Sequence, residues 1–303
     1  MLNFNAFLPM TRRIAIGFGL STLLCSSAIA HQGEHDHAAP RVVSAGAGMT
    51  ELVFALDAGD ELVAVDSTSQ LPDESQNIAK LGYHRMLSAE GILALNPSVV
   101  MGTDAMGPKA TLDVLSAAKI NVVQLPSANT QAQLFSNIDA MGTLLQREPQ
   151  AKQLKSDLQQ SFKDIETKKQ QIASKGDAPK VLFLLLQADR PARVGGDETA
   201  ADIIINLAGG ENIAGFSGYK SVSQEGILAL NPDVILISNR SDKATENPVE
   251  SLLKSMPLLA HTPAGKNKQI QNLNPQALLG GLGISAIAAA DKLASDFISV
   301  KRY

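Results

Sequence analysis

The octapeptide EGILALNP occupies residues 90–97 and recurs letter for letter at 225–232. The match extends into the surroundings, GYHRMLSAEGILALNPSVVMG in the first half and GYKSVSQEGILALNPDVILIS in the second. Each copy has the same order of parts. Ser88 and Ser223 stand where a helix N-cap belongs, Glu90 and Glu225 fall in the first turn where the helix dipole favours an anion, and Asn-Pro ends the helix. The Val/Ile-rich runs that follow have the character of buried strands. The repeat is therefore a short helix feeding a strand. Its spacing far exceeds the periods of about 20–50 residues of solenoids, so it predicts two similar domains.

The first thirty residues stand apart. Arg12-Arg13, the apolar run IAIGFGLSTLL and Ala28-Ile29-Ala30 have the layout of a secretory signal peptide, with cleavage expected between Ala30 and His31. The run is shorter than the roughly 18 apolar residues a membrane span needs. The single cysteine, Cys25, lies inside it after the bulky Leu24, which argues against a lipid anchor. Cleavage would leave 24 Lys+Arg against 30 Asp+Glu and no cysteine. Such a chain, mildly acidic, is not expected to bind nucleic acid or an anionic membrane, and disulfides and thiolate metal sites are closed to it. His31–His37, HQGEHDH, opens residues 31–40; the segment is expected to be a flexible terminus, with loose transition-metal binding as the alternative.

From Arg41 the pattern is α/β. RVVSAG, ELVAVD, SVVMG and NVVQL are predicted strands, with GMTELVFALDAGD and ATLDVLSAAK as helices, giving a first lobe over 41–147. The connecting segment, 148–176, differs sharply: Pro149 sits at a first helical position, Leu154, Leu158, Phe162 and Ile165 form one stripe in a polar run without glycine from Glu148 to Lys175, and Gly176 ends it. This predicts one connecting helix of ~42 Å at ~1.5 Å per residue. The second lobe, 177–303, begins with the strand KVLFLLL, passes through the predicted loop QADRPARVGGDE and enters the helix TAADIIINLAGG. PDVILIS and KQIQNL are further strands, and 276–299 a terminal helix interrupted by Gly280, Gly281 and Gly283. Alternating strands and helices imply two Rossmann-like lobes with parallel sheets.

This order of parts, with GYHRMLSAEGILALNP in the first lobe and VGGDETAADIIINLAGG followed by GYKSVSQEGILALNPDVIL in the second, resembles the periplasmic binding proteins of ABC importers for haem, cobalamin and ferric siderophores. Tyr83 and Arg85 make it most similar to the haem binders. The resemblance implies a ligand held in the cleft between the two lobes, where Tyr83 ligates ferric haem iron as a phenolate and Arg85 assists it. The chemistry is consistent: a phenol ionises near ~10 in water, and both Fe³⁺ and a guanidinium favour the anion. In an extended loop, residues i and i+2 project to the same side, which would put Arg85 beside Tyr83 and turn His84 away; His84 is expected to face solvent, with a second ligand or a cap on the site as its alternative roles. Arg190 and Arg193, in the loop after the first strand of the second lobe, are candidates for the haem propionates or the distal face. Tyr219, the counterpart of Tyr83, is expected to serve packing and His261 to lie on the surface, while Met86, Met101 and Met106 could line the cleft or the core.

The resemblance also implies that Glu90 and Glu225 dock onto arginine pockets of a symmetric permease dimer with its ATPase, an outer-membrane haem receptor acting upstream. Haem is thus expected as transported ligand, with no catalytic cofactor. Cobalamin or a ferric siderophore is the alternative cargo. A zinc chaperone using HQGEHDH and an extracytoplasmic enzyme are lesser alternatives; the sequence has no G-x-S-x-G, H-E-x-x-H or P-loop.

Overall fold

The computed structural model describes residues 40–187, 190–239 and 247–300. The expected signal peptide, HQGEHDH and Tyr303 lie outside them. The first lobe contains β1 (Val42–Ala45), α1 (Ala47–Ala55), β2 (Leu62–Val65), β3 (Ala79–Lys80), α2 (Ala89–Leu93), β4 (Val99–Thr103), α3 (Lys109–Ala117), β5 (Asn121–Leu125) and α4 (Gln131–Leu144). Its five strands form a parallel sheet in the order β3-β2-β1-β4-β5. The central pair, β1 and β4, is apolar on both faces, as a sheet covered on both sides requires. Alternation along the strands sends Val42, Val99 and Met101 into one core and Val43, Ala45 and Val100 into another.

The connecting helix α5 (Glu148–Ala173) carries Pro149 in its first turn. Ala151, Leu158, Ile165 and Ile172, seven residues apart, are its buried spine, with Leu154 and Phe162 half-buried beside them. The second lobe follows with β6 (Lys180–Gln187), β7 (Arg190–Gly195), α6 (Ala200–Leu207), β8 (Glu211–Asn212), β9 (Tyr219–Ser221), α7 (Gln224–Leu230), β10 (Val234–Asn239), α8 (Pro248–Ser255), α9 (Pro263–Lys266), β11 (Ile270–Asn272) and α10 (Ile284–Phe297). Its sheet runs β11-β10-β6-β7-β9, with β8 paired to β6.

Two expectations need correction here. The second sheet is mixed: β11, β10, β6 and β8 are parallel, but β7 and β9 join antiparallel. The stretch assigned to a loop, QADRPARVGGDE, supplies β7, which pairs antiparallel with β6 from Phe183 opposite Gly195 to Gln187 opposite Arg190. Pro191 and the Gly-Gly pair masked this strand in the sequence. The glycines after residue 278 do not interrupt a helix either. A 3₁₀ turn, Pro275–Leu278, gives way to an extended seam before α10 starts. There Gly280 (φ 96°) and Gly281 (φ 76°) press against the first lobe. A Cβ on Gly280 would lie 3.0 Å from the Gly48 Cα, and one on Gly281 2.4 Å from the Ala128 carbonyl oxygen.

The octapeptide does the same work twice. Ser88 and Ser223 hydroxyls accept from the Gly91 and Gly226 amides, Ile92 and Ile227 are fully buried, and Asn96 and Asn231 adopt left-handed φ of 47° and 52° before the proline. Between the lobes, one hydrophobic cluster runs continuously from β1, α1 and α4 through α5 into β6, α6 and α10. Each lobe also has its own outer cluster. A polar tie reinforces the seam: the Glu51 carboxylate on α1 accepts from Gln276 Nε2 (3.1 Å), the Ser285 amide (3.3 Å) and the Ser285 hydroxyl.

At the carboxyl ends of β1 and β2, Asp66 is completely buried. Its Oδ1 accepts from the Gly46 amide (3.0 Å) and Ser69 Oγ (2.7 Å), and its Oδ2 from the Thr68 amide (3.2 Å), Thr68 Oγ1 (2.7 Å) and His84 Nδ1 (3.0 Å). Burial by itself would raise the carboxyl. The hydrogen bonds from His84, Thr68 and Ser69 outweigh it and hold the pKa at about 2, below the ordinary 3.8.

Ile165→Ala should cost about 2–5 kcal/mol in urea unfolding. Because its cluster joins both lobes, the loss should shift one transition rather than split it into two. Asp66 makes a second prediction. A depressed folded pKa contributes stability that is fully present above 3.8 and is lost as pH falls through about 2. The contribution is about 2 kcal/mol, so the stability gap between wild type and Asp66→Asn should shrink between pH 6 and pH 2.5.

Candidate functional site

The loop between β3 and α2 carries the first-lobe candidates at the ligand-binding edge of the parallel sheet. Backbone bonds fix it on both sides: Ser67 N to the Gly82 carbonyl, Gly107 N to the His84 carbonyl and Leu87 N to the Gly107 carbonyl. Tyr83 is 44 % exposed and Met86 77 %. The Met86 amide donates to the Tyr83 carbonyl at 2.7 Å, closing a turn. The extended geometry expected for Tyr83-His84-Arg85 therefore does not hold. The ring beside Tyr83 is that of His84, with centroids 4.3 Å apart and planes tilted by 57°. His84 is not a solvent-facing loop residue; Asp66 anchors its Nδ1 and its side chain is 15 % exposed.

His84 and Arg85 together line a cavity of ≈ 180 Å³. Its other walls are the start of α1 at Gly46–Met49, Thr68, Thr103, Ser127 and, from the second lobe, Leu279–Gly281. The cavity is thus part of the cleft between the lobes. The N-terminal end of α1 and the two side chains give it cationic and hydrogen-bond-donating character suited to an anionic group.

Arg190 and Arg193 do not converge. Arg193 Nη2 donates to the Tyr219 carbonyl at 2.6 Å, and its guanidinium lies 5.5 Å from the centre of the Tyr219 ring. Tyr219 itself is half-buried against the shared core. Arg190 lines a separate groove of ≈ 560 Å³ within the second lobe, bounded by Gln187, Ser223, Glu225, Ser251 and Met256. A third concavity, ≈ 630 Å³, runs along α5 and α6 and contains none of the candidates. The methionines divide as well: Met101 and Met106 are core, and Met86 is exposed. His261 is exposed at the end of a 3₁₀ turn.

Glu90 and Glu225 are exposed in the first turns of α2 and α7, at equivalent places in the two lobes. The Glu225 backbone N–H and the Ser223 hydroxyl hold the Glu225 carboxyl below its usual range. Among the described residues no group of three His, Cys, Asp or Glu could hold a metal ion, and no helix is long and apolar enough to cross a membrane. Sequence reasoning passed over Asp66. Its signal was present in D-S-T-S directly after a strand, where an aspartate followed by hydroxyls builds a turn on its own side chain.

Comparison with known proteins agrees with this architecture. Residues 42–277 match the model of the periplasmic binding protein family. The structure superposes on a periplasmic heme binding protein from Pseudomonas aeruginosa with a TM-score of 0.78 and 34 % identity, covering 86 % of this chain and 94 % of the other. For the periplasmic heme binding protein HutB of Vibrio cholerae the TM-score is 0.76 and the identity 38 %, covering 85 % and 98 %. The vitamin B12-binding protein of Pectobacterium atrosepticum is 27 % identical over 224 residues, 73 % of this chain and 77 % of that protein. With the matched segment running from β1 to the turn that precedes α10, the chain belongs to the periplasmic binding protein family.

Proposed function

We propose that this protein captures ferric haem between its two lobes in the periplasm and delivers it to an ABC permease. The observation that carries this reading is the exposed Tyr83 on a braced loop whose next two residues, His84 and Arg85, line the cavity between the lobes. Phenolate oxygen is a hard anionic donor suited to Fe³⁺, and a nearby guanidinium favours the charged form. Two relatives at 34 % and 38 % identity, matched over most of both chains, are heme binding proteins by description. Binding and release of haem involve no catalysis, so no cofactor is assigned. Export through a signal peptide cut between Ala30 and His31 completes the route.

The separation of Arg190 from Arg193 shapes the details. Arg193, already engaged with the Tyr219 backbone, remains available to a propionate through its other nitrogens, whereas Arg190 shares a groove with Glu225. Glu90 and Glu225 are the docking carboxylates, one per lobe, for arginine pockets on a two-fold permease. The permease would work with its ATPase, and an outer-membrane receptor would supply the haem. Cobalamin is the second reading, favoured by the 27 % identity to a vitamin B12-binding protein.

Apo protein titrated with haemin should give a high-spin, tyrosinate-type absorption spectrum. Tyr83→Ala should abolish that spectrum and weaken binding by about 30-fold or more, the scale of losing ~2 kcal/mol; an unchanged spectrum and affinity would remove Tyr83 from the site. For docking, the double variant Glu90→Ala/Glu225→Ala should bind haemin within about twofold of wild type, yet transfer it to the reconstituted transporter about tenfold more slowly or worse. Undiminished transfer would refute the docking role.

A further inference from the structure

Tyr83 stands 44 % exposed on a turn, a poor starting point for a ligand, since an exposed side chain loses rotamer freedom when it is immobilised on binding. What the structure provides against that loss is a chain of two contacts. His84 packs its ring on the Tyr83 ring at 4.3 Å, and His84 Nδ1 is held at 3.0 Å by Asp66. Asp66 is itself immobile: it is fully buried, and four further donors from Gly46, Thr68 and Ser69 occupy its two oxygens. An ionised carboxylate only accepts, so Nδ1 carries the hydrogen, and the ring has one tautomer and one orientation.

The duplication supplies a control inside the same chain. At the equivalent step of the second lobe, Gly-Tyr is followed by Lys220, whose ammonium lies 4.7 Å from the centre of the Phe216 ring. Tyr219 there is a strand residue, packed on the core and held by Arg193. A tyrosine in this motif is thus braced by its own strand in one lobe. In the other, where the tyrosine is on a turn and exposed, a histidine anchored to a buried aspartate stands next to it.

We propose that Asp66 and His84 are positioning residues for Tyr83: the carboxylate clamps the imidazole, and the imidazole ring sets the orientation of the phenol that receives the ligand. The proposal rests on the reading of Tyr83 as the iron ligand and deepens it. The role requires neither residue to touch iron. The clamp joins the ends of β1 and β2 to the ligand loop, so the scaffold of the sheet reaches the phenol through one side chain.

The test uses the full mature protein as wild type, His84→Ala and His84→Phe, with two readouts. The first is cargo-independent: the Tyr83 ring resonances in apo protein carrying ¹³C-labelled tyrosine, assigned with Tyr83→Ala. In His84→Ala these should shift and broaden, and in His84→Phe, which keeps a ring but not the bond to Asp66, they should move part of the way back. The second is the iron–phenolate charge-transfer band with haemin. It should broaden in His84→Ala, with haemin leaving roughly three- to tenfold faster. Wild-type ring resonances and a wild-type band in His84→Ala would overturn the proposal, as would a lowered melting temperature with both signals intact. If haemin gives wild type no Tyr83-dependent band while the ring resonances still respond to His84, the cargo reading fails and the positioning role stands.

Discussion

The structure depends on a hydrophobic core that does not stop at the lobe boundary. The buried spine of α5, Ala151, Leu158, Ile165 and Ile172, belongs to the same cluster as β1 of the first lobe and β6 and α10 of the second. Two lobes that share a core cannot swing freely without exposing it, and exposing it is costly at about 25 cal/mol per Å² of apolar surface. The glycine seam, where Gly280 lies against Gly48 and Gly281 against Ala128, fixes the floor of the cleft at backbone contact distance. Ligand capture is then a matter of side chains and loops on a largely preset pair of walls.

On those walls the duplicated motif has taken two courses. The helix-to-strand part, with its serine cap, buried isoleucine and left-handed asparagine, stays the same in both copies because each residue meets a local structural need. The glutamate in it is exposed in the first turn of the helix in both. Just upstream the copies part. One tyrosine enters a strand, and the other sits on an exposed turn beside His84 and Arg85.

Most of the lobe architecture was legible because buried parallel strands and amphipathic helices leave strong periodic signals, as in VVSA, VILIS and the α5 stripe. Strand β7 was not, because Pro191 and two arginines look like a loop; pairing with β6 and β9 overrides that local preference. The terminal glycines were legible as breakers but not as a seam, since the close approach to Gly48 involves a residue more than two hundred positions away in the chain. For the site, the expected arrangement of the candidates was misjudged at three points. An alternation rule for extended chain cannot see the Tyr83–Met86 turn, and no sequence pattern links His84 to Asp66 across eighteen residues. Likewise Arg190 and Arg193, three positions apart in the sequence, part: Arg193 closes onto the Tyr219 carbonyl and Arg190 lines a groove of the second lobe.

The central claim is that the cleft is made for haem and not for another large cofactor. The most direct measurement is an equilibrium competition on the unmodified mature protein, with haemin bound first and cobalamin then added in excess, followed by the haem absorption band. Retention of the haemin spectrum at a hundredfold excess of cobalamin is the predicted result. Displacement of haemin by cobalamin at comparable concentration would contradict it.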